Sequence, residues 1–165
     1  MWIIHQLYAA TKKSDELMAY TYSHLYGIPA TGLRFFTVYG TYGRPDMAYF
    51  KFANKIRKGE PIQIYNHAIC IAISLMSMNI VTGIENMLCN PPKENELGDR
   101  YKIYNIGNHK PEQLMHFIEV LEKALGKTAE KEYLPMQPGD VYQTYADVSE
   151  LQRDFDFTPE TTIEE

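Results

Sequence analysis

The sequence predicts an α/β fold, because segments with helical spacing of apolar residues alternate with short apolar segments typical of buried strands. The 165 residues, 45% of them hydrophobic, are enough to build one domain with its own core. No internal repeat or low-complexity run interrupts the pattern, which argues against a solenoid. We therefore expect one α/β unit, or part of one.

Two helices are predicted in the first third of the chain. Residues 9–26 carry apolar side chains near helical spacing, and Gly27 followed by Pro29 is a typical end of a helix. A second helix is predicted at 48–57, where Gly59 ends the pattern.

Two more helices are predicted later in the chain. The clearest amphipathic pattern of the sequence begins at Pro111, continues to Leu125 and ends at Gly126. Asp147 is expected to cap a short helix that runs through Leu151.

Strands are predicted between these helices. The apolar runs at 31–39, 61–65 and 101–106 have the length and composition of buried strands. The acidic and polar stretch 90–100 is predicted to be an exposed loop.

Composition and charge exclude several classes of function. The net charge of −5 leaves no basic field for a nucleic-acid backbone. The two cysteines, Cys70 and Cys89, form no CxxC pair, so we expect neither a metal site nor a disulfide framework and favour a cytoplasmic protein. The most apolar stretch, 69–78, is shorter than the roughly 20 residues of a membrane span.

Tyr8 and Lys12 form a YxxxK pair within the first predicted helix. Residues four apart share one face of a helix, and an ammonium close to a phenol favours the phenolate form. By spacing alone such a pair also arises by chance, so its sequence context decides its meaning.

That context is a set of motifs along the whole chain. They are LYAATKK from Leu7, RFFTVYG from Arg34, RPDM from Arg44, YNIGN from Tyr104 and LPMQPGDV from Leu134. Together they resemble the extended short-chain dehydrogenase/reductase family, the NAD-dependent epimerases and dehydratases of nucleotide sugars, and within it the UDP-glucuronate 4-epimerases. The resemblance extends from Leu7 to Glu165 and implies the C-terminal part of a Rossmann-like fold.

The resemblance implies a site for NAD and a UDP-sugar. Tyr8 would be the catalytic base, Lys12 would hold the nicotinamide ribose, and the backbone of Phe35 would lie near the nicotinamide amide. Thr37 and Arg44 would approach the sugar carboxylate, which a guanidinium can bind in a bidentate manner. Four further residues are implied as nucleotide contacts: Gln63 and Tyr65 beside the uracil, and Gln137 and Asp140 beside the ribose or diphosphate.

The implied reaction is 4-epimerisation of UDP-glucuronate to UDP-galacturonate through transient oxidation at C4. The family is often homodimeric, and we expect this chain to self-associate. Residues 1–60 would end the NAD-binding domain and residues 61–165 would form the UDP-sugar portion, the two interleaved.

The sequence has no GxGxxG or GxxGxxG turn to receive a dinucleotide diphosphate. We therefore expect a C-terminal fragment that lacks the N-terminal dinucleotide-binding half and is inactive by itself. The alternatives are a non-catalytic remnant, at most an interaction module, and another nucleotide-sugar epimerase or dehydratase.

The segment 67–79 departs from the family pattern. The family has a charged stretch here, with a diphosphate-binding arginine at the position of Ala72, whereas this segment has no Asp, Glu, Lys or Arg. Our hypothesis is a pair of compensating frameshifts, since one-base-shifted codons can restore the motif; the alternative is an apolar element acquired by drift.

Overall fold

The computed structural model describes residues 7–65, 71–72, 74–108, 112–135, 146–159 and 161–164. The elements follow in the order α1 (Leu7–Tyr26), β1 (Ala30–Phe35), β2 (Thr37–Tyr39), α2 (Ala48–Lys58), β3 (Ile62–Tyr65), β4 (Ile71–Ala72), β5 (Ser74–Met76), α3 (Ser77–Leu88), β6 (Tyr101–Ile106), β7 (Glu112–Gln113), α4 (Leu114–Leu125), β8 (Lys131–Leu134) and α5 (Ser149–Phe155). This alternation confirms the predicted α/β class.

The described strands pair two by two. Three pairs are parallel, β1 with β6, β2 with β5 and β3 with β8, and the short β4–β7 pair is antiparallel. Parallel neighbours require a crossover connection, which here contains helices in each case. β1 and β6 match over six residues, from Ala30 opposite Tyr101 to Phe35 opposite Ile106.

Two apolar clusters form most of the core. The first joins β6 to α3 and α5, and contains Ile80, Met87, Tyr104, Ile106, Leu151 and Phe157. The second joins α2 and β3 to α4, and contains Phe52, Ile56, Ile62, Ile64, Ile118 and Ala129. Neither cluster contains a residue of α1, whose apolar residues Leu17, Met18 and Leu25 are exposed.

The predicted strand 31–39 is wrong as a single element. It is divided at Phe36 into β1 and β2, which pair with different strands. The Phe36 N–H donates to the Ile106 carbonyl at 3.3 Å, and its side chain packs on the buried Ala146 and Val148. Phe36 therefore turns the chain from one sheet to the next.

The predicted start of the fourth helix is also wrong. Helix α4 begins at Leu114, because Glu112 and Gln113 are extended and pair with β4; Pro111 lies outside the described residues. The end at Gly126 is confirmed, since its φ of 63° is the left-handed geometry that closes many helices. The prediction that Asp147 caps α5 is wrong: the N-cap is Val148, which makes no side-chain cap hydrogen bond, and Asp147 one residue earlier accepts hydrogen bonds from the N–H and the hydroxyl of Ser149.

The stretch 90–100 is a loop, as predicted, but Asp99 in it is buried, with 2% of its surface exposed. No helix among the described residues has the length and apolar character to span a membrane. The cytoplasmic location stays a prediction. Of segment 67–79, the described residues include the two short strands β4 and β5 and the start of α3.

Candidate functional site

Helix α1 is fixed to the β1–β6 sheet by a charged cluster near its middle. Arg34 on β1 donates two hydrogen bonds to the Glu16 carboxylate, at 2.5 and 2.8 Å, and Lys13 donates a third at 2.8 Å. The Tyr101 hydroxyl donates to the Glu16 carbonyl at 3.0 Å. Arg34 and then Lys13 lower the pKa of Glu16 from 4.5 to about 2, because both cations stabilise the carboxylate.

A second cluster fixes the C-terminal end of α1. Tyr20 donates to one Asp99 oxygen at 2.7 Å, and the Nδ1 atom of His24 lies 2.6 Å from the other. Both hydrogen bonds lower the pKa of Asp99, and the bond from His24 has the larger effect. The two clusters together fix the middle and the C-terminal end of α1 to the β1–β6 sheet and to the loop before β6.

A groove of about 820 Å³ runs between α1 and the β1–β6 sheet, and we call it the helix groove. It is lined by Tyr8, Ala9, Lys12, Lys13, Asp15, Glu16 and Ala19 of α1, by Gly32, Leu33, Arg34 and Phe35 of β1, and by Tyr101 and Ile103 of β6. Its volume is in the range of small-molecule sites.

Tyr8 and Lys12 face the helix groove from one side of α1. The Nζ atom of Lys12 lies 5.9 Å from the centroid of the Tyr8 ring, and it donates to Asp15 at 3.1 Å. The hydrogen bond and the charge of Asp15, followed by Tyr8, raise the pKa of Lys12. Lys12 therefore keeps its positive charge beside a phenol that is 70% exposed.

A second groove, of about 720 Å³, follows the loop after β2, and we call it the loop groove. It is lined by Tyr8, Phe35, Phe36, Thr37, Val38, Tyr39, Gly40, Thr41, Tyr42, Gly43, Arg44, Met47, Tyr49 and Ser77. The structure thus brings Tyr8, Thr37 and Arg44 to one groove.

Arg44 forms a bidentate pair with Asp46 in the loop groove. Its Nε atom donates to Oδ1 at 3.1 Å and its Nη2 atom to Oδ2 at 2.5 Å. The pair raises the pKa of Arg44 and lowers that of Asp46, with Tyr8 and Tyr49 adding to the effect on Arg44. Asp46 thus already occupies one bidentate edge of a guanidinium that is 75% exposed.

Tyr8 and Phe35 line both grooves. A proton acceptor at such a junction can act on a ligand in the loop groove while a second ligand lies in the helix groove. Lys12 supplies a fixed positive charge on one side of the junction, and Arg44 supplies an anion-binding group on the other.

Two predicted site residues lie elsewhere among the described residues. Gln63 and Tyr65 belong to β3 and line neither groove, and the Gln63 amide donates to Glu132 on β8 at 3.3 Å. Gln137 and Asp140 lie outside the described residues. The nucleotide contacts assigned to all four residues stay predictions.

Sequence reasoning missed the acidic partners of the two cations. Asp15 is three residues after Lys12 and Asp46 two residues after Arg44, and each accepts a hydrogen bond from its cation. The spacing was an available signal for Asp15, because opposite charges three residues apart on a helix commonly pair; the Arg44–Asp46 pair lies in a loop, where no such rule applies. Asp99 gave no such signal, since its partners lie 75 and 79 residues away.

Parallel strand pairs joined through helices, with a Tyr–Lys pair facing a groove, define an α/β protein with a candidate Tyr–Lys site. The chain belongs to the NAD dependent epimerase/dehydratase family, whose model matches residues 4–107. This confirms the family expected from the motifs.

The chain is similar to proteins about twice its matched length. It is 51% identical to Protein CapI of Staphylococcus aureus, over 96% of this chain and 51% of that protein. It is 42% identical to the probable UDP-glucuronate 4-epimerase of Rhizobium meliloti, over 96% of this chain and 50% of the relative. The chain thus spans about half the length of these curated relatives.

The fold is similar to that of a solved enzyme of the family. The crystal structure is that of UDP-glucuronic acid 4-epimerase from Bacillus cereus in complex with UDP-glucuronic acid and NAD. The TM-score is 0.87 at 28% identity, over 99% of this chain and 51% of the other. The expected correspondence to the C-terminal part of a Rossmann-like epimerase is confirmed.

Proposed function

We propose that this chain forms the Tyr–Lys half of a site that interconverts UDP-glucuronate and UDP-galacturonate with the help of NAD. The observation that carries the proposal is the position of Tyr8 at the junction of the two grooves, with Lys12 on one side and Arg44 on the other. The names of the Rhizobium relative and the Bacillus structure support this substrate.

The helix groove fits the nicotinamide-ribose side of NAD. The groove is large enough for a small molecule. The Lys12 ammonium suits a polar sugar, and the exposed Phe35 where the two grooves meet suits the flat ring attached to it. A diphosphate cradle is not part of this fit, because the sequence contains no glycine-rich turn of that type. When bound, NAD supplies the reversible oxidation at C4.

Tyr8 moves the proton in this reaction. Its phenolate oxygen accepts the proton of the sugar 4-hydroxyl and later returns it to the oxygen at C4. Lys12 places a positive charge 5.9 Å from the centroid of the Tyr8 ring, and Asp15 forms an ion pair with that charge. Loss of either group should therefore affect turnover more than binding.

Arg44 and Thr37 give the preference for an acidic sugar. The guanidinium offers two bidentate edges, and Asp46 takes only that formed by Nε and Nη2. The end-on edge is left for the C5 carboxylate of glucuronate, and Thr37 on β2 offers a hydroxyl in the same groove.

We further propose that residues 1–60 end the NAD-binding domain and that residues 61–165 form the UDP-sugar portion, the two interleaved. We also propose that the chain assembles as a homodimer. Exposed apolar side chains on α1 include Met18, Tyr22 and Leu25. They lie on the side away from Glu16 and Tyr20, which contact Arg34 of β1 and Tyr101 of β6. A second copy of α1 would cover this face. The same face would serve the alternative, a non-catalytic interaction module.

Ligand titration tests the proposed substrate. The 165-residue chain is titrated with UDP-glucuronate and with UDP-glucose, and binding is followed by amide chemical shifts. Arg44→Ala should weaken the binding of UDP-glucuronate about tenfold or more and leave the binding of UDP-glucose unchanged. Equal weakening of both sugars would contradict the role of Arg44, and the exposed Arg57→Ala is the matched control.

A further inference from the structure

The loop that follows β2 packs closely against neighbouring side chains at two glycines, Gly40 and Gly43. A Cβ atom on Gly40 would lie 2.4 Å from the Ser77 hydroxyl, and one on Gly43 would lie 2.4 Å from the Tyr49 hydroxyl. The Gly43 N–H also donates to the Gly40 carbonyl at 3.3 Å, which closes a turn. These contacts and the turn fix the position of the two residues between the glycines, Thr41 and Tyr42.

Tyr42 lies within this turn in an unfavourable conformation. Its φ is 61°, in the left-handed region that bulky residues seldom adopt, and its side chain is fully exposed. The ring contributes to no described core cluster. Neither packing nor backbone preference explains an aromatic residue here, and strained residues of this kind concentrate at ligand sites.

Tyr42 also lines the loop groove, two residues before Arg44. On the proposed function, on which this inference rests, Arg44 binds the carboxylate at C5 and Tyr8 acts at C4 of the same sugar ring. The ring between those two atoms therefore lies close to the turn. A pyranose has an apolar face of C–H groups, which suits the π face of an aromatic side chain.

We propose that Tyr42 is a substrate-contacting residue whose ring stacks on the apolar face of the hexose. Such a contact depends on the shape of the sugar ring and not on its charge. It should therefore strengthen the binding of UDP-glucuronate and of UDP-glucose equally, in contrast to Arg44.

The test replaces Tyr42 by glycine and by phenylalanine. Glycine adopts a φ of 61° without strain, so Tyr42→Gly should unfold at a temperature no lower than the wild-type chain. The same variant should raise the dissociation constants of both UDP-sugars about three- to tenfold. Tyr42→Phe keeps the ring and should retain wild-type affinity for both.

The outcomes separate this inference from the proposed function. A lower unfolding temperature for Tyr42→Gly would show that the ring packs in the fold. Unchanged affinities for both UDP-sugars would show that the ring does not contact the sugar. Either result overturns the inference and leaves the proposed function standing. If the wild-type chain binds neither UDP-sugar, the proposed function of the isolated chain fails and the inference with it. If Arg44→Ala fails to discriminate the sugars while Tyr42→Gly weakens both, only the carboxylate assignment is wrong.

Discussion

Lys12 lies one turn beyond Tyr8 on α1, and its Nζ atom is 5.9 Å from the centroid of the Tyr8 ring. The pair is exposed at the helix groove, and Asp15 keeps the ammonium charged through a 3.1 Å hydrogen bond. The described part of the chain thus provides a charged lysine, a phenol and two adjoining grooves, while the glycine-rich dinucleotide turn is not in its sequence.

Asp46 should repel the substrate carboxylate that binds at the other edge of Arg44. Replacing Asp46 by Asn removes a negative charge from the loop groove, so UDP-glucuronate should bind more tightly, up to about fivefold, since exposed ion pairs of this kind are weak. Binding of UDP-glucose should not change. Isothermal titration of both ligands checks this, and weaker binding of UDP-glucuronate would show instead that Asp46 orients the guanidinium.

Glu16 should stabilise the fold in a pH-dependent way. Its folded-state pKa of about 2 lies below the unfolded value of 4.5, so its contribution is fully present above pH 4.5 and is lost as the pH falls toward 2. Glu16→Gln should lower the free energy of unfolding by about 1–2 kcal/mol at pH 6.

Urea denaturation at pH 6 and pH 3 measures this difference. The gap between wild type and Glu16→Gln should be smaller at pH 3, where Glu16 is protonated in the unfolded chain. Glu60→Gln is the matched control, because Glu60 is exposed and has no ion pair among the described residues. A gap that stays constant would contradict the role of the Arg34 pair.

NAD should bind weakly to the isolated chain. Tyr8 and Lys12 can contact only the ribose side, and the sequence has no glycine-rich turn at a helix N-terminus to receive the diphosphate. Calorimetric titration with NAD should give a dissociation constant well above the micromolar range. A micromolar or tighter value would require a diphosphate site that the sequence motifs do not reveal.

Helices α1, α2 and α4 and the Tyr8–Lys12 pair were predictable because they depend on local spacing, whereas α3 at Ser77–Leu88 was not predicted. Helix ends at Gly59 and Gly126 follow from the left-handed conformation that glycine favours, and residues four apart must share a face. The α/β class follows from the same periodicity.

The features that were not predictable depend on distant partners. The division at Phe36 arises because β1 and β2 pair with strands that are about 70 and 40 residues away in sequence. Asp99 is buried where it accepts hydrogen bonds from Tyr20 and His24, which lie 79 and 75 residues earlier in the chain. Neither the junction of the two grooves nor the positive φ of Tyr42 has a local signature in the sequence.

The most direct test is turnover in a chimera that joins the complementary N-terminal part of Staphylococcus aureus CapI to this chain. With NAD bound, the chimera should convert UDP-glucuronate to UDP-galacturonate, followed by the proton signals of the two sugars. Tyr8→Phe should abolish conversion and keep UDP-glucuronate affinity, because only the proton acceptor is removed. A folded chimera that binds NAD and UDP-glucuronate without converting it, or a Tyr8→Phe variant that still turns over, would contradict the proposed role of Tyr8.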